Sequence, residues 1–198
     1  VDTANALQLK DALELIEKEK VSTTFMAPTL LKRIIDVPDK EKYDVSSMKS
    51  LIGGAAPCPA ELKTKVVEFF GPVYYELYGS TDASINTILR PEHYIRDLSK
   101  LSSVGKVAPG NKIKILDENG KECPPGVPGD LYLVSILTRH LDYYKDSEKT
   151  ERSFHVIDGE KYFIEGEIAY MDEDGFVYVV DRKKDVIISG GVNIYPAE

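Results

Sequence analysis

The chain has 198 residues, of which 42% are hydrophobic, enough to bury a core as one domain or two small ones and therefore to fold as a globular protein. Acidic side chains outnumber basic ones 33 to 25, a net charge of −8, which argues against nucleic acid as a partner because phosphate backbones demand a positive face. No apolar run is long enough to span a bilayer and Val1–Lys10 does not read as a signal peptide. Cys58 and Cys123 form neither a CxxC pair nor a disulfide framework, so a reduced, cytoplasmic setting is expected.

In chain order, Ala6, Leu9, Leu13 and Ile16 recur at helical spacing and predict a helix to Glu19. Val21–Met26 is β-rich, and Pro28 opens a helix through Ile35. Ser50–Ile52 reads as a strand ending in Gly53-Gly54. Pro59–Phe70 reads as an amphipathic helix stopped by Gly71-Pro72, and Val73–Leu77 as another strand. This alternation predicts an α/β layer with a mostly parallel sheet over residues 1–100. Beyond Lys100 the pattern shortens. Lys112–Leu116, Asp130–Val134, Tyr162–Ile164, Ile168–Met171 and Phe176–Val180 are expected strands, with Glu148–Phe154 as a helical interruption. Turns such as Glu118-Asn119-Gly120 separate them. Residues 101–181 should form a small antiparallel, barrel-like unit. Residues 182–198 resume a strand at Val186–Ser189 after a charged break at Arg182-Lys183-Lys184-Asp185, which reads as a domain junction. The absence of an initial Met and the stop at Tyr195-Pro196-Ala197-Glu198 give both ends the look of a cut.

Four short segments carry chemistry. Tyr78-Gly79-Ser80-Thr81-Asp82 follows a strand, where ligands of α/β sheets bind. There an aromatic ring can stack on a base, Gly79 permits close backbone approach, Thr81 can donate to a phosphoryl oxygen, and Asp82 offers a hard oxygen to Mg²⁺. The ordinary alternative is a strand-to-helix turn with Ser80 or Thr81 as N-cap. Gly53-Gly54-Ala55-Ala56-Pro57 either leaves room for a planar ligand or is a turn before a helix. Glu165 and Glu167 flank Gly166 and either bind ribose hydroxyls or line a solvated strand edge. Asp181-Arg182-Lys183-Lys184-Asp185 is otherwise a solvated charged turn.

Read in order, these segments carry a resemblance. It runs from Val21–Pro28 through Gly53–Pro57, Tyr78–Asp82, Ser103–Lys106, Pro125–Leu131, Tyr143-Tyr144-Lys145 and Asp172–Phe176 to Asp181–Glu198, nearly the whole chain, and the last segment is the most specific. The sequence resembles the adenylate-forming superfamily of acyl-CoA synthetases, luciferases and peptide-synthetase adenylation domains. The resemblance implies the later part of the large domain plus the hinge and a truncated stub of the C-terminal domain. It implies that Tyr78 stacks on adenine beside Gly54, Ala55 and Gly79, that Thr81 meets the α-phosphate, and that Asp82 binds Mg²⁺. It further implies that Glu167 grips the ribose, Arg182 reaches ribose or phosphate, Lys184 is the hinge, and Gly190 and Gly191 face the thiol acceptor. The implied reaction joins a small carboxylic acid to ATP as acyl-AMP and then to CoA.

The resemblance also locates what these residues do not contain. The Lys-bearing phosphate loop and an aromatic pocket helix would precede Val1, and a late lysine would follow Glu198. The fragment is therefore expected to be inactive by itself, with a tail free to self-associate. Within the chain, Asp82 stands for the family's usual Glu, Glu165-Gly166-Glu167 for Thr-Gly-Asp, Asp142 for Gly, and Asp130 for Glu. The first two changes favour a second reading, a catalytically weakened nucleotide- or acyl-binding homologue. A non-CoA acceptor is a further alternative.

Overall fold

The computed structural model describes residues 3–182, 187–189 and 192–194, with side chains described from Leu9 to Arg182. The chain divides into two compact units, Val1–Leu77 with Leu89–Ser102, and Tyr78–Ile88 with Ser103–Glu198.

The first unit is an α/β layer, of the fold class expected. It runs α1 (Thr3–Lys18), β1 (Thr23–Met26), α2 (Pro28–Ile35), β2 (Ser50–Gly54), α3 (Ala60–Phe70) and the first part of β3 (Tyr74–Ser80), then α4 (Pro91–Tyr94). β1 pairs with β2 and β2 with β3, both parallel. Parallel neighbours need a crossover, and the helices provide it. Pro28 sits in the first turn of α2, where its missing N–H costs nothing. Gly71 ends α3 at φ 82°, a conformation glycine adopts freely. Leu13, Leu31, Ile34, Leu51, Val66, Leu89 and Leu101 are buried. The Tyr94 hydroxyl accepts from the Tyr74 amide (3.0 Å) and donates to the Tyr74 carbonyl (2.9 Å), tying α4 to the start of β3.

The second unit holds a curled antiparallel sheet, as expected. β6 (Lys112–Leu116) pairs with β7 (Gly129–Val134), β7 with β9 (Glu160–Met171), and β9 with both β10 (Val177–Arg182) and β8 (Phe154–Ile157). Ile115, Leu131, Ala169 and Val177 form its core, and Tyr78 packs against them. β11 (Ile187–Ser189) and β12 (Val192–Ile194) pair antiparallel. Lys184, Gly190 and Gly191 lie outside the described residues.

Some elements differ from expectation. The strand-to-helix turn after Ser80 is instead a strand-to-strand return. β4 (Ser84–Leu89) follows, neighbours β3, and pairs antiparallel with β5 (Lys106–Val107). Two local features bend the chain back. Gly79 has no side chain where the Ser84 carbonyl lies against it, and Ser80 Oγ accepts from the Ala83 amide (3.2 Å). The expected strands at 162–164 and 168–171 are one strand, β9, bulged where residues 165–167 face Leu131 alone. α5 spans Ser147–Arg152, and Phe154 opens β8 rather than closing a helix.

Candidate functional site

The second unit gathers most of the residues that the sequence singled out. Tyr78, Gly79 and Ser80 end β3, and Thr81 and Asp82 form the exposed to half-buried turn beyond it. The bulge in β9 carries Glu165, Gly166 and Glu167 to the same place, with Gly166 at φ 80°. The Tyr78 hydroxyl donates to Glu167 Oε2. Arg182, the register partner of Glu167 on β10, brings Nε to 4.0 Å from Glu167 Oε1. Tyr78, Glu167 and Arg182 therefore form one chain of contacts. Gly54 and Ala55 belong to the first unit, at the carboxyl end of β2, where Gly54 stands in register with Leu77.

The carboxylates feel different forces. Burial raises the pKa of Glu167, and the Tyr78 hydroxyl and Arg182 oppose it. Burial pushes Glu165 up to about 7; the Ser80 hydroxyl offsets part of this, and the charges of Glu167 and Asp82 add to it. Glu165 Oε2 is buried with no hydrogen-bond partner among the described residues. The Tyr78 hydroxyl is raised chiefly by burial and then by Glu167 and Glu165, so it remains a donor.

Sequence reasoning passed over Tyr143 as a site residue. Its hydroxyl donates to Asp82 Oδ2 at 2.7 Å, and the Lys149 ammonium lies 3.7 Å from its ring centroid. A tyrosine before Tyr144-Lys145 in a polar loop was the available signal, but sixty-one residues separate it from Asp82. Among the described residues, no group of three His, Cys, Asp or Glu could hold a metal ion. No helix among them is long and apolar enough to cross a membrane.

The arrangement offers two hydroxyl-accepting carboxylates, a half-buried aromatic and one guanidinium. The chain as a whole is similar to known proteins. The medium/long-chain-fatty-acid–CoA ligase FadD8 of Mycobacterium tuberculosis is 30% identical over 190 residues, 95% of this chain and 32% of that protein. The mitochondrial medium-chain acyl-CoA ligase ACSF2 of Mus musculus is 34% identical over 192 residues, 96% of this chain and 30% of its own length. Among solved structures, the amide bond synthetase McbA from Marinactinospora thermotolerans superposes with a TM-score of 0.84 at 30% identity, covering 95% of this chain and 37% of that one. The anthranilate CoA ligase AuaEII, in complex with anthranoyl-AMP, gives 0.81 at 25% identity, covering 97% and 36%. The chain thus spans 30% to 37% of the length of these relatives. The family described as AMP-binding enzyme matches residues 1–137, more than half of the sequence, and the chain belongs to that family.

Proposed function

We propose that the chain is the nucleoside-gripping part of an ATP-dependent carboxylic acid–CoA ligase, with residues 1–100 as its α/β subdomain, 101–181 as its small barrel and 182–198 as hinge and stub. The observation that carries this reading is the Tyr78–Glu167–Arg182 contact chain. A carboxylate that already accepts from a hydroxyl has the chemistry to accept from a ribose. Glu167 then holds the ribose, Tyr78 stacks on adenine with Gly79 permitting close approach, and Arg182 reaches ribose or phosphate; Gly54 and Ala55 are the nucleotide-binding residues proposed for the first unit. Thr81 donates to the α-phosphate.

Mg²⁺ fits this donor set in one way. Asp82 has an oxygen beyond the one that accepts from Tyr143, and no three-residue cage accompanies it among the described residues. A Mg²⁺ held through one carboxylate keeps waters and takes its other ligands from phosphates. Such an ion neutralises phosphate charge. Asp82 would hold such an ion, and the Tyr143 hydroxyl would keep the Asp82 carboxylate in place. CoA and a small carboxylic acid complete the reaction in the whole protein, Lys184 serving as its hinge. The test is acid-dependent pyrophosphate exchange by the full-length protein against a panel of carboxylic acids. Exchange with at least one acid is expected, and none with any acid would reject the ligase reading.

The second reading, a weakened binding homologue, draws on Glu165. A buried carboxyl beside Asp82 and Glu167 puts negative charge where a polyphosphate would approach. Tight AMP binding without exchange would favour it.

A further inference from the structure

Outside the groups used above, the first unit buries a polar set beneath the loop that joins β2 to α3. Lys63 of α3 is 2% exposed and ion-paired with Glu76 of β3, itself 4% exposed. Glu76 stands opposite Gly53 in the parallel register. Tyr74, two residues earlier on β3 and fully buried, fills the space that a side chain at position 53 would need: a Cβ on Gly53 would collide with its hydroxyl. That hydroxyl also faces the Cys58 thiol, next to the start of α3. Between these two fixed ends, Ala55 is held at φ 67°. Alanine avoids that left-handed region, and such a conformation persists only where its surroundings over-determine it.

We propose that Lys63, Glu76, Tyr74 and Cys58 form a positioning brace that holds the 53–59 loop at both ends and thereby sets nucleotide affinity through Gly54 and Ala55. This rests on the nucleotide reading given above. Stability alone does not account for the ion pair, because well-packed apolar residues in place of a buried pair are often equally stable or more so. The Glu76 carboxyl also opposes its own ionisation: burial raises it, and Lys63 counters this. The strained alanine supplies the independent reason for a brace, since the loop would relax without one.

The test uses the full-length protein with the double variant Lys63→Met/Glu76→Leu and the single variant Tyr74→Phe. Thermal melting reports packing, kcat and KM for ATP report positioning, and hydrogen exchange of the Ala55, Ala56 and Cys58 amides in the 55–58 segment reports the loop directly. The brace predicts unchanged or higher melting temperature for the double variant, a rise in KM for ATP of about tenfold with kcat nearly constant, and faster exchange at 55–58. Tyr74→Phe should move KM and exchange the same way by a smaller factor. Unchanged KM and exchange in a folded double variant would overturn the brace. If the double variant does not fold, unchanged values in Tyr74→Phe overturn it instead. Should the wild type bind no ATP, the nucleotide reading fails, and exchange at 55–58 still decides whether the brace exists.

Discussion

Glu167 and Asp82 both end in carboxylates at one loop cluster, yet they should fail differently. Contacts to a nucleoside are made in ground and transition states alike, so Glu167→Ala should mainly raise KM for ATP. On the proposed reading Asp82→Ala would loosen an ion that neutralises phosphate charge, so it should mainly lower kcat for adenylation. Loss of one charge-assisted hydrogen-bonding group costs about 1.5–3 kcal/mol, roughly one to two decades in either constant. Kinetics across ATP and Mg²⁺ concentrations separate the two, and equal changes in both constants for both variants would refute the assignments. Tyr143→Phe frees Asp82 from its donor at 2.7 Å and should raise the Mg²⁺ needed for half-maximal rate severalfold. Glu165 gives a pH signature. Its folded pKa, about 7, lies above the ordinary 4.5, so the folded state binds the proton more tightly. Stability from this group is full below pH 4.5 and is lost as pH rises towards 7, by up to about 3 kcal/mol. Urea melts from pH 4 to 8 should show that decline in the wild type and a flatter profile in Glu165→Gln, with the variant the more stable at pH 8.

At the scale of elements, the Tyr94–Tyr74 link joins α4 to the first residue of β3 through one hydroxyl that both accepts and donates. Tyr94→Phe leaves a buried amide and carbonyl without that partner and should destabilise by about 1–3 kcal/mol, read as a shift in urea midpoint. Cys58 offers a milder check on the α3 entry. Burial, then the Glu76 charge, push its thiol up to about 11, so alkylation at pH 8 should be slow in the native protein and fast in urea. The α2 and α3 segments were legible because apolar spacing and a proline at or before the first turn both point to helix. β4 was not. Ser84–Leu89 mixes buried Asn86 and Thr87 with exposed Ile85, so no period-two pattern marks it. Its place depends on Gly79 admitting the Ser84 carbonyl, a contact invisible in composition.

At the scale of the molecule, the chain divides within β3, between Leu77 and Tyr78. The strand that bears Glu76 for the first unit bears Tyr78 for the second. The chain spans only 30% to 37% of the length of the relatives it matches. The isolated chain should therefore give no acid-dependent pyrophosphate exchange, and robust exchange from it would refute that expectation.

Sequence by itself determined the family, the parallel-then-antiparallel order of the layers, and the candidates Tyr78, Asp82, Glu167 and Arg182. Local pattern and ordered motifs suffice for these, because each is a property of residues near in the chain. Only the tertiary structure decided the partners. Tyr78 with Glu167 spans 89 positions, Asp82 with Tyr143 spans 61, and neither separation leaves a periodic trace. The same holds for the raised Glu165 carboxyl and the Lys63–Glu76 pair, since burial is set by what the rest of the chain packs around a group, not by its neighbours in sequence.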